Sequence, residues 1–172
     1  TVAASNGNGN TGQGINVVSS DALFLNGGTW SGLMVRSTDR VIVTGSSVTS
    51  TKAIDSETQN ETAISTDIDA VGNTVRFAAN QDGVGTLGFS QTAGDEITTT
   101  NETASAIEII VNSLIGGTGD AELGLLSAGT TTGQVRISTS GGGIRDANAA
   151  AKNIIASGTL LTAMDGVGTF AD

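Results

Sequence analysis

The sequence has no cysteine, histidine, proline or tyrosine among its 172 residues. Without cysteine, the chain can form neither a disulfide framework nor a thiolate metal site. Without histidine, it lacks the usual general base near neutral pH and the commonest metal ligand. Enzyme mechanisms that need either residue are therefore excluded.

Aromatic and basic residues are also scarce. Aromatics make up 3% of the chain, although conventional globular cores draw much of their buried area from them. Seven Lys and Arg stand against 17 Asp and Glu, and the basic residues are scattered along the chain. Nucleic acids and anionic membranes are bound by clusters of Lys and Arg, so neither is an expected partner. No apolar run approaches the ~20 residues of a membrane-spanning helix, and we expect no membrane insertion.

What the chain does contain is Gly, Thr and small aliphatic residues in a repetitive order. After a polar leader expected to be irregular over residues 1–14, short apolar stretches recur, many of them roughly 8 to 14 residues apart and most separated by Gly, Asn, Asp or Ser clusters. Several alternate apolar and polar residues, which is the period of a strand with one buried face. These stretches are residues 15–18, 23–25, 33–35, 41–43, 75–77, 87–89, 107–111, 123–125, 135–137 and 154–155.

This spacing of apolar stretches fits both a parallel β-solenoid and an antiparallel β-sandwich, and internal repetition distinguishes the two folds. The Val-Arg-Phe of residues 75–77 recurs as Val-Arg-Ile at 135–137, and the motif of residues 82–87 recurs at 165–170. Both offsets are near multiples of about 28–30 residues, a plausible length for a three-strand coil with loops. The sequence therefore predicts a single parallel β-solenoid over residues 15–172, as a segment of a longer chain or stacked in a filament. The alternative is an antiparallel β-sandwich of a pilin-like subunit.

For two segments, the sequence is compatible with more than one secondary structure. Ile107, Ile110, Val111 and Leu114 fit one face of a helix, but the alternation of Ile107, Ile109 and Val111 and the β-branched side chains favour a strand. The Ala-rich residues 146–156 are compatible with a short helix or a turn of small residues.

The carboxyl-terminal part carries a family resemblance. Its Gly- and Asp-rich turns alternate with short strands, in residues 119–126, 133–139, 143–148, 153–156 and 165–169. Over about residues 71–172 the chain resembles filamentous-haemagglutinin-like large bacterial exoproteins, including giant planctomycete-type surface proteins. The resemblance implies a right-handed parallel β-helix, export from the cell, and adhesion or a cell-surface scaffold. It carries no fixed catalytic residues over to this chain.

Two Gly-rich motifs invite ligand-binding interpretations. Residues 7–12 match the dinucleotide pattern G-x-G-x-x-G, which needs a strand before it and a helix after it. Here nothing strand-like precedes the motif, so a flexible leader is the better interpretation. Residues 116–123 nearly match a calcium-binding nonapeptide, but Asp120 sits one place early and the motif occurs once. A plain turn explains it, and we predict neither cofactor nor metal.

Two further features, an acidic pair and a lone Trp, could serve recognition or catalysis. Asp67 and Asp69 would place two carboxylates on one face of a strand, an arrangement that polysaccharide-active enzymes use, although outward acids on a solvated strand explain it equally. Basic partners would have to come from Lys52 or Arg76. The lone Trp30 could stack on a sugar if exposed, or cover a seam of the core.

Asn60 and Asn101 begin N-glycosylation sequons in polar stretches, where we expect both to be exposed. The Thr runs at residues 98–100 and 130–132 resemble fragments of an ice-binding array, but they are isolated and out of period, so solvated strand or turn surface is preferred.

These observations predict a structural component of an extracellular filament, stalk or cell-surface layer, and not an enzyme. Its expected partners are copies of itself or further coils of the same chain. The alternative function is an adhesin segment that binds surface glycans or host surfaces, and a polysaccharide-active enzyme ranks third.

Overall fold

The computed structural model describes residues 15–112, 117–149 and 151–168, and all regular structure among them is β-strand. The leader predicted over residues 1–14 lies outside this range. None of the described residues forms a helix that could cross a membrane. The strands, in chain order, are β1 Ile15–Ser19, β2 Leu23–Trp30, β3 Leu33–Ser37, β4 Val41–Ser50, β5 Ile54–Thr58, β6 Thr62–Ser65, β7 Ile68–Asp69, β8 Val75–Ala79, β9 Phe89–Gln91, β10 Glu96–Thr98, β11 Ile107–Val111, β12 Ala121–Leu123, β13 Leu125–Ser127, β14 Gln134–Thr139, β15 Ile144–Asp146, β16 Ile154–Ile155 and β17 Gly158–Ala163.

The strands form two sheets. Seven make the first sheet in the order β1-β3-β5-β8-β11-β14-β17. The second sheet divides at the long strand β4, which also pairs with β2 along its length. The amino-terminal half of β4 leads into the first arm, β6-β9-β12-β15, and its carboxyl-terminal half leads into the second arm, β7-β10-β13-β16.

Every pairing between the described strands is parallel. The all-β prediction is confirmed at this level, and the alternative of an antiparallel sandwich is wrong. Parallel neighbours need a crossover connection, and here each crossover runs through strands of the other sheet. We call each stretch from one strand of the first sheet to the next a tier, numbered from β1.

The tiers differ in length. Residues in register along the first sheet are Ile15, Leu33, Ile54, Val75, Ile107, Val135 and Thr159, so successive offsets are 18, 21, 21, 32, 28 and 24 residues. The predicted repeat of 28–30 residues therefore matches the fifth tier only: the first three tiers and the sixth are shorter, and the fourth is longer. The offset of 60 between residues 75 and 135 corresponds to two tiers. The offset of 83 does not align strands, because Val84 is exposed in a loop whereas Val167 pairs with Ile144.

Alternate side chains of each strand point into a shared apolar interior. In β11 the buried residues are Ile107, Ile109 and Val111, which confirms the strand and rejects the helix for this segment. The Ala-rich segment contains β15, turns and β16, with no helix among its described residues.

Residue size is balanced between neighbouring tiers. Phe77 and Phe89 lie in the same tier, both buried, with ring centroids 5.8 Å apart. Three of their four partners in register are small: Ser56 lies beside Phe77, opposite the larger Ile109, and Thr62 and Ala121 flank Phe89. Because close-packed interiors leave few voids, the two rings fill space that the small neighbours leave open.

Candidate functional site

One outward row of side chains follows the second arm of the second sheet. Thr49, Asp69, Thr98, Ser127 and Ile155 occupy equivalent positions on successive strands. The residues that precede them in sequence, such as Ile68 and Ile97, point inward and are buried. Neighbouring members of the row are therefore about 4.8 Å apart, and hydroxyl and carboxylate groups face solvent.

A groove of about 370 Å³ lies along this row. Its lining consists of Asp69, Thr98, Thr99, Thr100, Glu102, Ser127, Ala128, Gly129 and Thr130. The groove brings together residues that the sequence offered separately as an acidic pair and as two Thr runs. Its chemistry is rich in hydroxyl groups and contains no aromatic side chain among the lining residues.

Of the two acids predicted to share a strand face, Asp69 lies on β7 and Asp67 immediately precedes that strand, and each accepts a backbone hydrogen bond. Both Asp67 and Asp69 are exposed on either side of the buried Ile68. Asp67 Oδ1 accepts from the Glu96 N–H at 3.0 Å, and Asp69 Oδ1 accepts from the Val71 N–H at 2.9 Å. These bonds anchor adjacent loops, which gives both carboxylates a structural role.

Asp95 is an acid that the sequence reasoning missed. Burial raises the pKa of the Asp95 carboxyl, and the negative charge of Asp67 raises it further. No motif marks Asp95, since its proximity to Asp67 depends on the register between β7 and β10. Of the basic residues considered for catalysis, Arg76 instead bonds Asp55 on the first sheet at 2.8 Å.

Glu102, which lines the groove, is hydrogen-bonded to a loop of the next tier. Its carboxylate accepts N–H groups from Thr132 at 2.6 Å, Gly133 at 2.7 Å and Thr131 at 3.3 Å. These donors, the Thr132 N–H foremost, hold the pKa of the Glu102 carboxyl below its usual value. The second Thr run therefore lies in a loop whose N–H groups bind the Glu102 carboxylate. In the first run, Thr99 is buried and its hydroxyl donates to Asn73 O. Neither run forms a regular outward array.

The remaining ligand motifs have other structural roles or fall outside the described residues. Asp120 accepts from the Gly143 N–H and is paired with Arg145, so its oxygens are already engaged. No cluster of three or more metal-ligating side chains occurs in the part of the chain that is described. Trp30 is 3% exposed and belongs to the core, which excludes sugar stacking in this conformation. The Gly-rich residues 7–12 and Gly116 lie outside the described residues.

The two sequons differ in environment. Thr62 of the Asn60 sequon is fully buried, and its hydroxyl lies 3.2 Å from that of Thr58. The expectation that this sequon is exposed is therefore wrong at its third residue, because that residue begins an interior-facing strand. In the Asn101 sequon, Glu102 and Thr103 are both exposed.

The first sheet carries an outward charge ladder instead of a groove. Each oxygen of Asp55 accepts from a different guanidinium, Arg36 at 2.7 Å and Arg76 at 2.8 Å. Burial raises the pKa of Asp55, but the two arginines outweigh it and hold the pKa below the ordinary value. Glu108 continues the ladder between Arg76 and Arg136, at 3.7 and 3.9 Å. Arginines scattered in sequence are thus aligned by strand register and matched by acids.

The interior is open at the carboxyl-terminal end of the described structure. There β17 pairs with β14 on one edge, and no described strand pairs with its other edge. A cavity of about 270 Å³ opens at this end, lined by Leu123, Ile144, Arg145, Asp146, Asn153, Ile154, Leu161, Val167 and Gly168. At the other end, by contrast, Leu23 and Leu25 are at most 3% exposed.

Comparison of the chain with protein-family models, with curated proteins and with solved structures found no match.

Proposed function

We propose that the chain is a right-handed parallel β-solenoid that serves as a structural element of an extracellular filament, stalk or cell-surface layer. The all-parallel pairing and the return of the chain to the first sheet in every tier support the solenoid. The right hand follows from the strong preference of parallel crossover connections for that hand.

The observation that carries the structural role is the open end at β17. A parallel edge strand presents unpaired N–H and C=O groups that can pair with a further strand. Leu161 and Ile154 are only partly buried there and would be covered by a further tier. Among the described residues, this edge offers apolar side chains inside and, with Leu160 at 49% exposure, outside as well.

A further tier can come from more of the same chain or from another copy. If copies stack end to end, the contact joins two different surfaces, and such contacts propagate into open filaments unless a rotation closes a ring. In this proposal the outward charge ladder of the first sheet and the loops of the second remain on the filament surface. No catalytic step is assigned to Asp67 or Asp69, because both carboxylates accept backbone hydrogen bonds that anchor loops.

The test is sedimentation velocity over a concentration series, combined with cryo-electron microscopy of the folded chain. We expect rods whose length grows with concentration, with continuous tiers spaced about 4.8 Å apart along the axis. Leu161→Lys should suppress the growth, and Met34→Lys, at an outward apolar position on β3, far from β17 in the first sheet, should not. Circular dichroism checks that both variants remain folded.

Two results would count against the proposal. If the protein sediments as single chains at every concentration, copies do not stack. If the density shows tiers that are not wound as a solenoid, the fold assignment is wrong.

The second candidate function, an adhesin that binds surface glycans, is favoured by the hydroxyl-rich groove. Hydroxyl and carboxylate groups are suited to hydrogen bonding with sugar hydroxyls. Binding to a glycan array that is lost in Asp69→Lys and retained in Glu122→Lys would support this function. Glu122 is exposed on β12, away from the groove lining, so the control has the same change in charge.

A further inference from the structure

We infer that Asn101, and not Asn60, is an acceptor for N-glycosylation in the folded protein. The inference concerns covalent modification and is independent of the scaffold role proposed above. It rests on how the fold treats the two sequons, which look equivalent in sequence.

The third residue of a sequon must be Ser or Thr, so a glycosyltransferase has to reach its hydroxyl. Thr103 is exposed, and its hydroxyl lies 2.5 Å from Asn101 Oδ1. The Thr103 N–H donates to the same oxygen at 2.9 Å. The sequon therefore forms a compact turn at the surface, in which the half-buried Asn101 amide lies beside the exposed Thr103 hydroxyl.

Neighbouring tiers hold this turn in place without covering it. The Asn101 carbonyl accepts from the Gly129 N–H at 3.1 Å, and the Glu102 carboxylate is bonded to the following loop. The middle side chain of the sequon is thus directed to the next tier. Thr103, Ala104 and Ser105 form an exposed stretch beside the acceptor.

Modification is compatible with the existing contact of the Asn101 amide. Its Nδ2 donates one hydrogen bond to Gly72 O at 3.0 Å, and a primary amide has two N–H groups. A glycosylated amide keeps one N–H, so the bond to Gly72 can persist while the sugar takes the second position.

The Asn60 sequon is locked into the sheet. Thr62 pairs with both Val41 and Phe89 through strand β6, and it has no exposed surface. Asn60 Nδ2 donates to Asp39 Oδ1 at 3.0 Å, and the Asn60 carbonyl accepts from the Asn80 N–H. A transferase could reach the Thr62 hydroxyl only by unfolding β6.

The donor in this proposal is a sugar activated by a nucleoside diphosphate. The Asn101 Nδ2 forms a bond to the anomeric carbon, and the bond from that carbon to the diphosphate oxygen breaks. The diphosphate leaves with the electron pair, and one amide proton passes to a base of the transferase. No atom is oxidised or reduced.

The experiment treats the folded chain with an N-glucosyltransferase and UDP-glucose and measures intact mass, followed by peptide mapping. We expect one added hexose, located on Asn101. The addition should disappear in Asn101→Gln and in Thr103→Ala, and it should persist in Asn60→Gln. Heat-unfolded chain serves as a comparison, in which both sequons are accessible.

Hexose on Asn60 of the folded chain would overturn the inference, and so would the absence of any product on the folded chain. Circular dichroism of each variant before treatment shows that the result reports access and not loss of the fold. Neither outcome bears on filament formation, which is measured separately by sedimentation.

Discussion

Tiers 1–3 and tiers 4–5 contribute to the same two sheets but connect them differently at one corner. Between the first sheet and the first arm, tiers 1–3 use three-residue connections, residues 20–22, 38–40 and 59–61. Tiers 4 and 5 use nine-residue connections at the same corner, residues 80–88 and 112–120, although part of the latter is not described. Pairing in the first sheet continues in register through both regions.

The long connections begin at a buried Asn with a positive φ. Asn80 has φ 50° and Asn112 has φ 55°, and Asn tolerates this left-handed conformation better than most residues. The Asn80 amide donates to Asn112 Oδ1, and Asn112 Nδ2 donates to Gly119 O at 2.7 Å. The interior therefore fixes the strands, whereas a hydrogen-bonded pair of buried Asn side chains allows the loops to lengthen without disturbing those strands.

The largest effect is expected in the core at the junction between the two regions. Phe77→Ala should lower the free energy of unfolding by about 3–5 kcal/mol, because Ser56 beside it is too small to fill the cavity. Urea denaturation measures the change. Phe24→Ala, at a position 46% exposed on β2, is the control and should change stability by less than about 1 kcal/mol. Equal losses in the two variants would contradict the size balance between tiers.

The second prediction concerns the buried amides. Asn112→Gly retains access to positive φ but removes the side chain that bonds Asn80 and Gly119, so we expect a loss of about 1–3 kcal/mol. Thr38→Gly is the control in tier 2, where the residue after the strand is exposed, and its cost should stay below about 1 kcal/mol. Thermal or urea unfolding compares them. A loss no greater than that of the control would show that the amides do not support the long loops.

The third prediction uses pH to test the charge ladder that spans both regions. The pKa of Asp55 is lowered in the folded state, so its stabilising contribution is present above the ordinary value of about 3.9 and is lost as pH falls through the folded-state value. Asp55→Asn should therefore cost about 1 kcal/mol at pH 7, after allowance for solvent screening. The difference from the unchanged protein should disappear in strong acid.

Unfolding curves at several pH values measure this difference. Asp21→Asn, at an exposed position outside the ladder, should change stability by less than about 0.5 kcal/mol at each pH. A pH-independent cost for Asp55→Asn would mean that shape and not charge matters at this position.

The smallest effect is expected from lengthening a loop that is already long. Insertion of Gly-Ser after the exposed Val84 should cost no more than about 0.6 kcal/mol, the scale of loop-closure entropy. The same insertion after Thr38 interrupts a three-residue connection whose Asp39 bonds Asn60, and we expect a loss of about 1–2 kcal/mol there. Urea denaturation measures both losses of stability. Equal losses for the two insertions would show that the long and the short connections tolerate lengthening equally.

Sequence reasoning located most strands but not their connections. The alternation at residues 75–77, 107–111 and 135–137 predicted strands that the structure contains, because a half-buried strand repeats every two residues. The predicted repeat length was wrong for every tier but the fifth, since loop residues count toward a sequence period but not toward strand register. Short strands such as Ile68–Asp69 and Ile154–Ile155 are too brief to show a period of their own.

The candidate site was predicted only in pieces. Asp69 and the Thr runs were each candidates in the sequence. No sequence pattern predicted that Thr98 would lie beside Asp69 or that Glu102 would contact Thr132. The difference between the two sequons was also invisible, because Asn60 and Asn101 sit in equally polar stretches. Inward or outward direction is decided by strand phase, and a shift of one residue reverses it.

Composition and residue order are enough to establish that the chain is built from β-strands, that its interior is mainly aliphatic and that histidine and thiolate chemistry are excluded. These conclusions follow from composition and from local periodicity, which depend only on neighbouring residues. The parallel register, the charge ladder, the groove beside Asp69, and the burial of Thr62 but not Thr103 in the two sequons are visible only in the tertiary structure. Each of these depends on residues some 20 to 30 positions apart, brought together by pairing between tiers whose lengths vary with their loops.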